Sequence, residues 1–295
     1  MVDIQDWTEI SYEEARSTLR KWREEHARRS EETVEIWEHV LSRYASSLKD
    51  ELWPVLEQVA ISSLDSARYE LAIECLMHLN KRFPKSTRVT KLQAMRLEAL
   101  RDFKNAELLY EKLIKTDESN TFYRKRKIAM LIAQGERHEA IRQLNDYLET
   151  FINDPEAWLE LSELYLQEAD YARAAFCFEE LLLANPQNSL YLRRIAEIRY
   201  TLGGTENVEL ARAYYEHAVK CNNSDARALY GVILCCNYLL PKATAQRKKE
   251  LGATGFKAAD RLIAVYEEQP NENPSLKFQI KTIQTLKNII KNATA

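Results

Sequence analysis

The sequence predicts an all-α protein built from stacked pairs of antiparallel helices, and three observations carry that prediction. Only six glycines occur in 295 residues, so helical registers run long without interruption. Trp158, Leu161 and Tyr165 fall at i, i+3 and i+7 and therefore share one helix face. Ala174, Phe178 and Pro186 follow them, and the same set of residue types returns elsewhere at a fixed interval.

The interval can be read from three series. Stepping back from Ala174 gives Ala140, Ala106 and Ala72, small residues where two helices cross closely. Stepping back from Phe178 gives Leu144, Tyr110 and Leu76, large side chains that fill the gap one turn later. Tyr171 leads back to Arg137, Phe103 and Tyr69, where each second helix is expected to begin. Pro84 and Pro186 lie three periods apart, and each closes a helix because proline lacks the backbone N–H and clashes with the preceding turn. Two helices in about 34 residues with a closing proline is the tetratricopeptide pattern. The expected fold is therefore a tetratricopeptide-repeat, right-handed superhelical solenoid with extra capping helices at both ends, because each repeat buries its apolar face only against its neighbours.

In chain order, Ser11 and Glu14 form a capping box ahead of a helix carrying Ala15, Leu19 and Trp22. A second helix is expected from Ser30, with Thr33, Trp37, Val40, Leu41, Tyr44 and Leu48 at helical spacing. The charged run 20–29 between them reads as a solvated outer face. A third helix begins near Asp50, with Pro54 in its first turn. After Ala174 the register slips by three residues, to Ala211, Tyr215 and Ala218. Gly203, Gly204 and Thr205 are read as a longer turn that absorbs the insertion. Leu229, Val232 and Cys236 begin a further repeat. Its second helix is displaced, with 241–246 as a loop and 255–268 as the helix carrying Phe256, Ala259, Ile263 and Tyr266. Residues 269–274 are a connector, and a last helix runs from Ser275 to about Lys291. The chain is thus expected to form a single α-solenoid domain: N-terminal helices over 1–50, tetratricopeptide repeats over 51–240, and the displaced repeat helix with a C-terminal capping helix over 241–295.

Composition narrows the function. A formal charge of −3 and a pI near 6.1 argue against a general nucleic-acid binder. The first residues carry two acids and no apolar run, unlike a secretory signal. The longest uncharged stretch, 228–241, falls short of the roughly 20 apolar residues that span a bilayer and reads as a buried helix. Cys75, Cys177, Cys221, Cys235 and Cys236 form no C-x-x-C pair and suit free thiols in a reducing compartment. The sequons at Asn222 and Asn292 then carry no meaning. His26, His39, His78, His138 and His217 have no partner at metal-ligand spacing, and His138-Glu139 does not continue to H-E-x-x-H because position 142 is arginine. There is no phosphate loop and no G-x-S-x-G elbow. Neither enzyme nor cofactor is expected.

In a tetratricopeptide stack the first helix of each pair lines the concave side. That places Lys91, Met95 and Glu98, then Lys125, Ala129 and Ile132, along one stretch of groove. Leu159 and Glu163, then Arg193, Glu197 and Tyr200, then Tyr230, follow. Apolar, basic and acidic members together suit a bound peptide or partner helix. A carboxylate clamp needs asparagine at the ninth repeat position, where Met95 and Ala129 stand, so a co-chaperone adaptor is the weaker reading. In the basic run Arg124-Lys125-Arg126-Lys127 only Lys125 is expected to enter the groove; the run reads as a solvated ridge, with contact to an acidic partner segment as the alternative. A nuclear or RNA-processing scaffold would rest on that run alone. The last helix sets Leu276, Ile280, Ile283, Leu286 and Ile290 on one stripe with lysines outside it. That is the pattern of a capping helix, and equally of a helix on an anionic membrane surface.

Several blocks resemble one family over about residues 8–235: Arg20-Lys21-Trp22-Arg23-Glu24-Glu25, Arg124-Lys125-Arg126-Lys127-Ile128-Ala129, Glu156-Ala157-Trp158, Asp170-Tyr171-Ala172-Arg173-Ala174-Ala175-Phe176-Cys177, and Gly203-Gly204 before Glu206-Asn207. Together they resemble subunit 2 of the endoplasmic reticulum membrane protein complex. The resemblance implies a non-catalytic scaffold, peripheral on the cytosolic face of the endoplasmic reticulum. It implies support for insertion of tail-anchored and multipass transmembrane segments. It also implies a superhelix that holds cytosolic parts of other subunits, the fifth among them, and binds the eighth or ninth.

Overall fold

The computed structural model describes residues 6–268 and 275–294; the connector expected at 269–274 lies outside them. The chain forms two compact units, Met1–Glu136 and Arg137–Ala295, which divide between the two helices of one repeat.

The first unit opens with α1 (Tyr12–Glu24), whose N-cap Ser11 accepts a hydrogen bond from Glu14 N at 3.3 Å and whose buried residues are Ala15, Leu19 and Trp22. Helix α2 (Ser30–His39) is shorter than its apolar spacing suggested. A 3-10 stretch, Leu41–Glu51, replaces the expected continuation, with non-helical backbone at Tyr44 and Lys49. The tighter winding buries both Leu41 and Leu48 but leaves Tyr44 half exposed. It also delivers Glu51 to Arg16, Arg20 and Arg23 of α1 at 2.5, 2.8 and 3.3 Å. Helix pairs follow: α3 (Leu52–Asp65) with α4 (Tyr69–Arg82), then α5 (Thr87–Ala99) with α6 (Phe103–Thr116), then α7 (Thr121–Gln134).

The second unit continues with α8 (Arg137–Thr150), α9 (Pro155–Gln167), α10 (Tyr171–Ala184), α11 (Ser189–Leu202), α12 (Thr205–Cys221), α13 (Ala226–Leu239), α14 (Ala245–Glu267) and α15 (Ser275–Thr294). Second helices begin at Tyr69, Phe103, Arg137 and Tyr171, as the period demands. Ala72, Ala106, Ala140 and Ala174 are completely buried, so the helices meet where only a methyl group fits.

Local chemistry explains the regularity. Asn120, Asp154, Asn188 and Asp225 each cap a first helix by accepting backbone N–H bonds at 3.0 to 3.3 Å, each worth about 1 kcal/mol. Between the helices of a pair the chain turns through a left-handed residue. These are Ala67, Arg101, Gly135 and Ala169, at φ 57, 59, 83 and 56°. At each, the next residue returns its N–H to a carbonyl five positions back: Arg68 to Ser63, Asp102 to Leu97, Glu136 to Leu131 and Asp170 to Tyr165, at 2.7 to 3.0 Å. That bond, together with the one the left-handed residue itself donates, closes a Schellman motif. Gly203 and Gly204 make a different turn, both at positive φ with extended ψ.

Two sequence expectations need correction here. Helix α12 begins at Thr205, still one full period after Tyr171, so the glycine turn does not absorb the insertion. The three extra residues lengthen α12 itself to 17 residues, against 14 in α4, α6, α8 and α10. Helix α14 begins at Ala245, well before the expected start at 255, and runs through Gly252 and Gly255. Those glycines mark close approach. A Cβ on Gly252 would lie 2.5 Å from Thr294 Cγ2, and one on Gly255 would lie 2.8 Å from Ile290 Cδ1. Helix α15 packs there, burying Leu276, Ile283 and Ile290. Ile283 and Ile290 join the cluster that also holds Val232, Cys236 and Leu262.

Candidate functional site: the inner helix faces

In the first unit the inner face is formed by α3, α5 and α7. Lys91 Nζ of α5 sits 5.4 Å above the Phe122 ring of α7, a cation–π contact that leaves the ring 38% exposed. Met95 is half-buried against the apolar cluster of the first unit. Lys125 and Ile132 are half-buried and Ala129 is exposed. A groove of about 540 Å³ opens beside them, with Trp22, Glu57, Ile61, Met95 and Phe122 in its walls. The N-terminal segment forms one wall. Arg28 makes a two-pronged bond to Asp65 at 2.8 and 2.6 Å, Ser30 adds a third at 2.8 Å, and Arg23 donates to Gln58 at 2.8 Å. The Arg28 guanidinium holds the Asp65 carboxyl below the usual carboxylate range, against burial.

The basic run of α7 is therefore not the solvated ridge its composition suggested, whereas the run 20–29 is exposed as expected at Arg20, Lys21, Glu24, Glu25, Arg28 and Arg29, with Trp22 buried and Arg23 half-buried. Arg16, Arg20 and Arg23 converge on Glu51. In the basic cluster of α7, Arg126 pairs with Glu98 of α5, and Lys127 reaches Glu107 and Glu111 of α6, both at 3.2 Å. The Lys127 side chain is only 17% exposed. All four members of the cluster are half-buried. The physical reason is a supply of acids from the two preceding helices, which offsets the cost of partly desolvating the cations. Tyr110 lies in the same place, its hydroxyl pushed upward by burial and by Glu98.

In the second unit the inner face is formed by α9, α11 and α13. Leu159 is exposed, and Glu163 faces solvent with Arg194 of α11 at 3.6 Å. Arg193 is committed elsewhere: its side chain is 16% exposed and it pairs with Asp225, the N-cap of α13, at 3.4 Å and with Glu197 at 3.6 Å. It fastens one repeat to the next rather than standing free in a groove. Tyr200 is half-buried, its hydroxyl pushed up by burial first and then by Cys235 and Tyr238. Burial raises the Tyr230 hydroxyl to about 12, with Tyr266 adding to the effect.

Sequence counting missed part of this band. With the three residues of α12 included, Leu234 and Tyr238 occupy the repeat positions of Glu197 and Thr201. Leu234 is 42% exposed, and Lys242 Nζ lies 4.0 Å above the Tyr238 ring. Asn237, at the position of Tyr200, holds a buried side-chain oxygen with no hydrogen-bond partner among the described residues. An unmet acceptor of this kind costs free energy. The arrangement suits an extended or helical polypeptide lying across aromatic rings between acidic side chains. Among the described residues no cluster of His, Cys, Asp and Glu is placed to hold a metal ion.

Paired helices at one fixed period, Schellman turns and inward alanines define a tetratricopeptide-repeat protein. The chain is also similar in fold to the crystal structure of the C-terminal part of a tetratricopeptide repeat-containing protein from Cytophaga hutchinsonii. The TM-score is 0.56 at 16% identity, over 80% of this chain and 92% of that one. Residues 71–208 match the family profile described as the EMC2 TPR-like repeat domain. The chain is 41% identical over 288 residues to ER membrane protein complex subunit 2-A of Xenopus laevis, covering 97% of both chains. It is 45% identical over 252 residues to ER membrane protein complex subunit 2 of Xenopus tropicalis, covering 85% of each. To the subunit 2 of Dictyostelium discoideum it is 31% identical over 249 residues, 80% of this chain and 77% of that one. The chain belongs to the family of ER membrane protein complex subunit 2.

Proposed function

We propose that this chain is a non-catalytic scaffold subunit of the endoplasmic reticulum membrane protein complex, peripheral on the cytosolic face of the membrane. In this role it supports the insertion of tail-anchored and multipass transmembrane segments by holding cytosolic parts of other subunits, the fifth and the eighth or ninth among them. The observation that carries the proposal is 41% identity, across 97% of the chain, to a relative that bears this subunit's name. Two features of the fold support it. The inner faces carry Lys91, Met95, Lys125, Ala129 and Ile132 in the first unit and Leu159, Glu163 and Tyr200 in the second, a mixture suited to polypeptide segments. Arg193, paired with Asp225 and Glu197, braces the repeats behind this surface and offers it no free cation. All five cysteines are free, which suits the reducing side of the membrane. No helix among the described residues is long and apolar enough to cross a membrane.

Affinity purification from detergent-solubilised cells tests the reading. Integral membrane subunits should copurify and survive high salt, and their complete absence would sink it. Lys125→Glu should weaken that recovery while leaving the helical circular dichroism signal intact.

A further inference from the structure

Helix α15 has an outer face that the fold does not use. Its 20 residues include four lysines and no acid. The inner stripe is buried, and Lys287 is spent on Asp260 of α14. Glu250 of α14 is held by Arg247 at 3.0 Å and Glu268, the residue capping its C-terminal end, by Arg261 at 3.1 Å, while Glu267 is exposed. On the far side Phe278 is 74% exposed and Ile289 51% exposed. Three helical turns apart, they lie within about 20° of each other around the helix and about 16 Å apart along it. Lys281 and Lys277 lie about 60° and 100° to one side of Phe278 around the helix and are exposed, as is Lys291, which lies farther round towards the buried stripe.

We propose that this face docks on an anionic lipid surface, with Phe278 and Ile289 entering the boundary between headgroups and acyl chains and Lys277 and Lys281 meeting lipid phosphates. Charge decides the sign of the partner, because the whole chain is formally −3 while this helix is uniformly basic. Spacing decides its form. Two isolated apolar side chains so far apart along a helix do not make the contiguous patch of a protein interface, whereas each can enter a lipid boundary singly while neighbouring lysines reach the headgroups. The inference needs only this chain and lipid, so it stands apart from the question of which subunits occupy the inner faces.

Vesicle flotation with the purified full chain tests it. Vesicles of phosphatidylcholine with phosphatidylserine should carry the protein upward, and phosphatidylcholine alone should not. Replacing Lys277 and Lys281 with glutamine should lower partitioning about fivefold for each charge removed. Phe278→Ser should lower it about tenfold, the share of one partly inserted aromatic. These side chains are exposed, so circular dichroism should report an unchanged fold. Absence of flotation overturns the proposal, as does flotation indifferent to both kinds of variant. Binding to soluble polyglutamate that depends on the lysines but not on Phe278 also overturns it and assigns the face to an acidic polypeptide.

Discussion

The repeated left-handed residue offers a controlled experiment that the chain has already half performed. Gly135 and Ala169 occupy the same place in successive Schellman turns, at φ 83 and 56°. A Cβ added at Gly135 would meet nothing within 4 Å, and Ala169 is exposed, so substitution at either site changes backbone energetics and almost nothing else. A residue with a side chain costs about 1 to 2 kcal/mol in the left-handed region. Glycine gives back about 0.5 to 1 kcal/mol through its freer unfolded chain. Ala169→Gly should therefore stabilise by about 0.5 to 1 kcal/mol, and Gly135→Ala should destabilise by a similar amount. At about 2 to 4 °C per kcal/mol for a chain of this order of size, the two melting temperatures should move a few degrees in opposite directions. Calorimetry and far-ultraviolet circular dichroism would measure both shifts. A lower melting temperature for Ala169→Gly, or no change for Gly135→Ala, would refute the reasoning.

Other tests address packing, charge and thiols. Gly231→Ala places a Cβ well inside contact distance of the Tyr215 ring; overpacking costs about 1 to 3 kcal/mol against a helix-propensity gain of about 1 kcal/mol, so the melting temperature should fall and Tyr215→Leu should restore it. Arg28 depresses the Asp65 carboxyl, so its contribution is present above the unfolded value near 4 and is lost as pH falls through the lower folded value. Urea midpoints followed from neutral to acid pH should fall less steeply for Asp65→Asn than for wild type. The difference should stay under about 1 kcal/mol because Arg28 is largely exposed, and superimposable curves would contradict it. Burial raises Cys75, Cys177, Cys235 and Cys236 to about 12 and leaves Cys221 exposed. A thiol reagent should thus modify Cys221 alone in the native protein and all five after denaturation.

What the sequence revealed, and what it hid, follows the range of the interactions. The repeat was legible because its determinants are local: alanine at each crossing, a large apolar residue one turn later, and the closing prolines at Pro84 and Pro186. The break after His39 was not, because Tyr44 and Leu48 keep helical spacing while the burial of Leu41 and Leu48 imposes another winding. Gly252 and Gly255 looked like a poor helix interior because their purpose, the approach of α15, is set by Ile290 and Thr294 near the far end of the next helix. The fate of the basic cluster was equally hidden, since Glu98, Glu107 and Glu111 come from other helices. The inner faces were legible up to α12, where the slip in register concealed Leu234 and Tyr238.

The three extra residues of α12 also bear on how a guest strand would find its place. An array with a perfect period offers equivalent berths, and a bound segment shifted by one repeat meets the same pattern again. Three added residues advance a helix by about 4.5 Å, and because Ala211 keeps to the start of α13 the same offset that Ala174 keeps to the start of α11, the addition falls in the first turn of α12. Within the second unit that prolonged turn breaks the equivalence of berths: first helices start at Pro155, Ser189 and Ala226, so the step into α13 is longer than the step into α11, and a segment that slid by one repeat would not meet an identical pattern.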